Sequence, residues 1–230
     1  MKGRTALITG ASRGIGAAVA RSFSARGAQL ALLSRAGDDL GLPETVGLPC
    51  DVSDRAAVFD AVAKALERFG RLDCVVANAG LGAYGPFLEL EQKHVEAMID
   101  VNLKGTIYTA QATLPHLLEA GGGDFVSLAS VAGLRAFEGE AVYNASKFGQ
   151  LGLTRSLDLE LRERGVRCTN VCPGGVATDF ALGAGRPESA LEGMMTPDDV
   201  AEVVTFCVTR PPGLRMMTAS LRPMSESSAG

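Results

Sequence analysis

The chain has no block of basic residues: its 22 lysines and arginines are outnumbered by 26 aspartates and glutamates, and the net charge is −4. A nucleic-acid surface built on a basic patch is therefore not expected. No apolar run reaches the roughly 20 residues of a membrane span. The start, MKGRTALITGAS, does not read as a secretory signal, because its apolar stretch is short and leads straight into a glycine turn. Histidine is scarce, and both residues, His94 and His116, stand isolated on a polar helix face and read as surface side chains. The five cysteines (Cys50, Cys74, Cys168, Cys172, Cys207) are odd in number and lack paired metal spacing. They are expected to be buried, reduced thiols of a cytoplasmic protein, and no metal site is expected.

What the chain does have is 230 residues, 47% of them hydrophobic, and 28 glycines. That is the composition of one globular domain with many tight turns and close backbone approaches. Short apolar runs alternate with amphipathic stretches. Strands are predicted at 5–10, 28–34, 46–52, 72–80, 123–130 and 166–174, with a last one at 218–223. Helices are predicted at 15–26, closed by Gly27, and from a Ser53 cap to about Phe69. Three more follow: one long or broken helix at 90–118 with Pro115 near its end, 141–164 closed by Gly165, and 197–209 opened by Thr196. Asp198 and Asp199 then sit in a helix first turn, where the dipole favours them.

This order implies parallel β-α-β units in a Rossmann-like, doubly wound α/β sheet, with the domain at 1–223 and a polar tail, 224–230, that frays. The strands do not alternate polar and apolar residues, as expected where helices cover both faces. Between strands two and three lie only the eleven residues 36–46, AGDDLGLPETV, including Asp38 and Asp39. A parallel crossover usually needs about a dozen or more, so a loop or short 3₁₀ segment is expected there.

Strand one runs into TGASRGIG (9–16) and then a helix. The Gly-x-x-x-Gly-x-Gly spacing of Gly10, Gly14 and Gly16 lets the backbone of Ser12, Arg13 and Ile15 turn sharply against a diphosphate at the helix N-terminus. NAD-preferring sites place a carboxylate at the end of strand two. Here that position is Ser34, followed by Arg35. Arg35 and Arg13 can instead take a 2′-phosphate, so NADP(H) is preferred and NAD(H) remains possible.

Tyr143 and Lys147 stand four apart in VYNASKFG, with Ser130 thirteen residues upstream. Residues i and i+4 share a helix face. An ammonium there favours the phenolate and suits the Tyr hydroxyl to exchange a proton with a substrate oxygen. Ser127, a rival serine, falls in mid-strand and is expected to pack.

With these motifs together, the chain resembles the short-chain dehydrogenase/reductase family over nearly its whole length, to about residue 223. Further matches are Asp51-Val52 at the adenine, Asn78-Ala79-Gly80 ending strand four, Asn102 in DVNLKG, and Pro173-Gly174-Gly175-Val176-Ala177-Thr178 at the nicotinamide. The resemblance implies an NADP(H)-dependent enzyme that interconverts a carbonyl and a secondary alcohol. In it Tyr143 is the general acid and base, and Ser130 bonds the substrate oxygen. Lys147 holds the nicotinamide ribose, and Asn102 holds a water that links Lys147 to solvent. Val176 and Thr178 fix the carboxamide. The alternative is a dinucleotide-binding sensor or scaffold without turnover. Such members commonly lose the Tyr or the Lys, and this chain keeps both.

The partner is expected to be a small molecule: a 3-oxoacyl thioester, a 3-hydroxy acid, a sugar or a small ketone. Substrate contacts are expected from a lid at about 179–195, whose charges are Asp179, Arg186, Glu188 and Glu192, and from Arg135, Phe137 and Glu138. The resemblance also implies a homodimer or homotetramer pairing helices 90–118 and 141–164, with Ile99, Leu103, Leu151, Leu157 and Leu161 as apolar candidates. The chain departs from the family in its short crossover and in lacking a glycine-rich C-terminal ending.

Overall fold

The computed structural model describes residues 1–180 and 192–226. Its centre is a seven-stranded, all-parallel sheet of order β3-β2-β1-β4-β5-β6-β7. The strands are β1 (Thr5–Thr9), β2 (Gln29–Ser34), β3 (Thr45–Pro49), β4 (Cys74–Ala77), β5 (Gly123–Leu128), β6 (Val166–Pro173) and β7 (Thr218–Leu221). The helices are α1 (Gly14–Ser24), α2 (Arg55–Phe69), α3 (Gln92–Met98), α4 (Gly105–Glu119), α5 (Ala141–Leu161) and α6 (Pro197–Val208). The sheet is thus the doubly wound one expected, with shorter strands than the sequence suggested. None of the described helices is long and apolar enough to cross a membrane.

Both faces of the sheet are covered, which explains the unbroken apolar strands. Ala6 and Ile8 of β1 pack with Val19 and Phe23 of α1 and Val200 and Val204 of α6. Leu7 points the other way, with Val75 and Phe125, toward Val58 and Val62 of α2, Leu117 of α4 and Leu161 of α5. The segment between β2 and β3 holds only turns and bends, as its length required. Leu40 and Leu42 pack from it onto the α1 side of the core. All five cysteines are free and buried.

Three local readings change. Asp54, not Ser53, caps α2: its Oδ1 accepts from the amides of Ala56 and Ala57 at 2.8 and 3.3 Å. Ser53 is taken up by Asp51, whose Oδ1 accepts from the Ser53 hydroxyl at 2.7 Å and from its amide at 2.9 Å. The predicted long or broken helix 90–118 is α3 and α4 joined by a π-helical turn, Ile99–Lys104, with Pro115 inside α4. Such turns often mark functional positions, and this one carries Asn102. His116 is not isolated, since its Nδ1 lies 3.0 Å from Glu119 Oε2. At α6 the expected Thr196 cap forms, completed by Asp199 into a reciprocal capping box.

The two rims of the sheet do different work. Strand C-termini at Gly10, Asn78, Ser130 and Pro173 surround a cleft. On the N-terminal rim Asp124, its side chain 4% exposed, accepts from Arg4 and, at 2.8 Å, from Arg167 Nε. Those arginines also donate to the carbonyls of Asp73, Val208 and Arg210 at 2.7–2.9 Å, lacing β1, β4, β5 and β6 to the end of α6. Removing one member of a buried ion cluster leaves the others unpaired, a cost of about 3–5 kcal/mol. Asp124→Ala should therefore lower the urea unfolding free energy by about 3 kcal/mol. Ligand binding at the opposite rim should be unchanged in the folded fraction.

Candidate active site

The glycine turn is tight because three backbones meet there. A Cβ on Gly16 would come within 2.4 Å of the Gly10 carbonyl oxygen and 2.5 Å of Asn78 Nδ2, so no larger residue fits. Asn78 holds the turn: its Nδ2 donates to the carbonyls of Thr9 and Gly10 at 2.9 and 3.1 Å. Thr9 Oγ1 in return accepts from the amides of Asn78 and Ala79, both at 3.0 Å. α1 begins directly after the turn, with its N-terminus facing the cleft.

The cleft is a cavity of about 770 Å³. Of the residues expected to hold a dinucleotide, Gly10, Ser12, Arg13, Gly14, Ile15, Ser34, Arg35, Asp51, Val52, Asn78, Ala79, Gly80, Tyr143, Lys147, Pro173, Gly174, Val176 and Thr178 all line it. Gly16 does not; it is buried behind the turn it shapes. At the adenine end no carboxylate follows β2. The Ser34 hydroxyl accepts from the Gly37 amide at 3.1 Å, and Arg35 is exposed. The hydrogen bonds from Ser53, and next the nearby Arg35, hold the Asp51 carboxyl below its usual range. Arg13 pairs with Asp179 at 3.2 Å, both side chains about 70% exposed, an ion pair worth little and easily exchanged. The residues present therefore fit a nicotinamide dinucleotide.

At the other end Ser130, Tyr143 and Lys147 converge. Ser130 follows β5, and its Oγ caps the 3₁₀ turn Val131–Gly133, accepting from the Ala132 amide at 3.1 Å and donating to the Pro173 carbonyl at 3.4 Å. That turn packs directly on α5: a Cβ on Gly133 would meet the Lys147 carbonyl oxygen at 2.8 Å. Tyr143, one turn before Lys147, is buried, with Tyr84 edge-on at 5.8 Å and Phe180 at 5.9 Å between ring centroids. Lys147 is 3% exposed, and its Nζ lies 5.6 Å from the Tyr143 ring centre. Nζ donates to the Leu128 carbonyl at 3.0 Å and to Gln150 Oε1 at 2.8 Å. Burial pushes the ammonium down to about 7, with the nearby Cys172 acting in the opposite direction.

Asn102 is fully buried and does not line the cavity. It exchanges hydrogen bonds with the Leu81 backbone (Leu81 N to Oδ1 2.9 Å, Nδ2 to Leu81 O 3.0 Å), and its Nδ2 reaches Ser146 Oγ at 3.0 Å. It thereby ties the loop after β4 to α5, beside Tyr143 and Lys147.

A scan of family models matches residues 4–188 to the short chain dehydrogenases. The chain belongs to the short-chain dehydrogenase family. It is 38% identical to oxidoreductase UcpA of Salmonella typhimurium over 89% of this chain and 79% of that protein. It is 32% identical to an uncharacterised oxidoreductase of Staphylococcus epidermidis, covering 97% and 99% of the two chains. An alcohol dehydrogenase from the archaeon Thermococcus sibiricus, solved with 5-hydroxy-NADP, superposes with a TM-score of 0.89 at 34% identity, covering 99% of each chain. A serine dehydrogenase with NADP⁺ gives 0.91 at 29% identity, covering 98% and 97%. This short-chain dehydrogenase is an oxidoreductase by family.

Not every expected substrate contact faces the cleft of the dehydrogenase. Phe137 lines it, Glu138 is exposed away from it, and Glu140 lines it instead. Arg135 stacks on Phe137, 4.5 Å from the ring centre, and reaches Glu226 at 3.5 Å. Of the expected lid, Asp179, Phe180, Glu192 and Met194 line the cavity, whereas Arg186 and Glu188 lie outside the described residues. The tail was expected to fray, yet its described part packs on the site. Glu226 Oε2 accepts from the Gly175 amide at 3.2 Å, and Ser225 Oγ donates to the Gly193 carbonyl at 2.7 Å. No sequence pattern marks a glutamate in a polar tail as lining the cavity; only the fold brings it to the loop after β6.

The buried lysine makes stability depend on pH. Its folded value, about 7, lies below the usual 10.5, so from pH 10.5 down to 7 the unfolded chain binds a proton that the folded chain does not. The stability contribution is present above pH 10.5 and is lost as pH falls through the folded value. Between pH 7 and 9 the ligand-free protein should gain stability steeply, and Lys147→Met should flatten that rise. Parallel urea unfolding curves for the two proteins across this window would contradict the burial-driven shift.

Proposed function

We propose that this dehydrogenase interconverts a carbonyl and a secondary alcohol of a small molecule, with NADP(H) as the preferred cofactor and Tyr143 as the general acid and base. The observation that carries the reading is one continuous cavity with Ser130, Tyr143 and Lys147 at one end and Arg13 and Arg35 at the other, where Ser34 rather than a carboxylate ends β2. The 5-hydroxy-NADP complex of the Thermococcus alcohol dehydrogenase and the NADP⁺ complex of the serine dehydrogenase support the same preference.

The nicotinamide would supply or accept the hydride. Arg35 would bind the 2′-phosphate, and Arg13 would be free to join it because its pair with Asp179 is exposed. Amides of the glycine turn and the N-terminus of α1 would receive the diphosphate. Val176 and Thr178 would orient the carboxamide. Tyr143 gives its proton to the carbonyl oxygen in reduction and removes it in oxidation. Ser130 turns its hydroxyl from the Pro173 carbonyl to that oxygen, where charge develops. Lys147, charged, holds the ribose and favours the Tyr143 phenolate. Tyr84, Phe137 and Phe180 keep water from the reacting oxygen. A dimer across α5 fits the exposed Phe148 and Leu159 better than Leu151 and Leu161, which belong to this chain's own core.

A melting series with NADPH, NADP⁺, NADH and NAD⁺ at one concentration tests the cofactor. Ligand at about 100 Kd should stabilise by roughly 2.7 kcal/mol. The phosphorylated pair should shift the midpoint more, and Arg35→Ala should cost NADPH about 10–100-fold in affinity while leaving NADH nearly unchanged. A larger shift with NADH overturns the preference. Tyr143→Phe should lower turnover of an accepted carbonyl by at least about a hundredfold with NADPH binding intact. Turnover like that of the unaltered protein would remove Tyr143 from the mechanism.

A further inference from the structure

Gln150 is wholly buried, one turn beyond Lys147 on the same face of α5. A buried carboxamide must place both its ends, and here each has a partner. Oε1 accepts from Lys147 Nζ at 2.8 Å, and Nε2 donates to Thr106 Oγ1 at 2.7 Å. Thr106 Oγ1 donates to the Asn102 carbonyl at 2.7 Å. The direction of this chain is dictated by its last member. A carbonyl oxygen only accepts, so the Thr106 hydroxyl must donate to it and has a lone pair left for Gln150. The amide nitrogen therefore faces Thr106, and the amide oxygen faces Lys147.

We propose that Gln150 is a positioning residue for the catalytic lysine: with Thr106 it presents an oriented acceptor that holds the Lys147 amine charged inside the core. This rests on the mechanistic reading of Lys147 given above. Lys147 has few other means of staying charged. The Leu128 carbonyl is its second acceptor at 3.0 Å. Among the described residues, the titratable groups that face it are Tyr143 on its own helix and the Cys172 thiol on β6. The Asn102 side chain is already committed to Leu81 and Ser146. Burial works against the charge, and a charge-assisted hydrogen bond offsets part of that cost.

The chain Lys147–Gln150–Thr106–Asn102 also has a functional polarity. Every hydrogen points from the lysine toward Asn102, and a carboxamide does not readily pass a proton through. The link between the lysine and the asparagine carbonyl is thus one of orientation and charge stabilisation. A proton leaving the site takes a different way out.

The test reads the lysine directly, without substrate or cofactor. The protein is labelled with ¹³C at lysine Cε, the Lys147 resonance is assigned by its loss in Lys147→Met, and the signal is titrated with pH. Gln150→Leu, which keeps the volume and removes the acceptor, should move the Lys147 midpoint down by about one unit, a tenfold change in proton affinity. Gln150→Glu should move it up. Thr106→Val, which frees the amide to rotate, should give a smaller fall. A residue that merely filled space would lower the melting temperature and leave the midpoint in place, so an unmoved midpoint in folded Gln150→Leu overturns the proposal. Should Gln150→Leu fail to fold, an unmoved midpoint in Thr106→Val and Gln150→Glu overturns it equally. NADPH melting shifts on the unaltered protein are read separately. Their absence would count against the cofactor reading and not against the lysine–glutamine pair.

Discussion

Everything at the site is referenced to the stitch between Thr9 and Asn78. Strand order reverses between β1 and β4, and the crevice that opens there is where ligands of such sheets bind. Four short hydrogen bonds join the two strand ends across that crevice, two into the Thr9 hydroxyl and two out of the Asn78 amide. They hold the Gly10 backbone close enough to Asn78 that Gly16 has no room for a side chain. The start of α1, the floor of the cavity and the approach to Gly80 all follow from that contact. The ion cluster around Asp124 plays the matching role on the far rim, so the strands are tied at both ends.

The second constraint is charge in a dry place. Lys147 is buried by the packing of Gly133 onto α5, and burial alone drives its amine toward neutrality. The amine's two hydrogen-bond acceptors there are the Leu128 carbonyl and Gln150 Oε1. The polar work of the core is concentrated here: Asn102, Thr106, Ser146, Lys147 and Gln150 are all buried and all hydrogen-bonded to one another or to nearby backbone. The π-helical turn at Asn102 sits where α3 runs into α4, next to this network, which is why one continuous pattern of apolar residues hides an irregular turn.

Much of this was legible in the chain because it rests on local rules. The glycine spacing at 9–16, the strand–helix alternation, the absence of a carboxylate at Ser34 and the Tyr143–Lys147 spacing each depend on neighbours within a few residues. So does the short crossover, whose two glycines and proline forbid a helix. The misreadings had a common origin. Ser53 and Asp54 are equally good caps by type, and the choice fell to Asp51, which binds Ser53 first. Arg135 was expected to touch substrate; its 3.5 Å contact with Glu226, 91 residues away, leaves no mark in the local sequence.

The sequence by itself determined the architecture and the glycine turn, because helix and strand periodicity and glycine conformation act at short range. Tertiary structure alone decided which polar side chains meet. Glu226 reaches the Gly175 amide because β7 runs beside β6 and delivers the tail to that loop. Gln150 reaches both Lys147 and Thr106 because α5 packs against the start of α4. Hydrogen bonds hold only at separations near 3 Å, and distances of that order between remote residues are set by packing, not by sequence spacing.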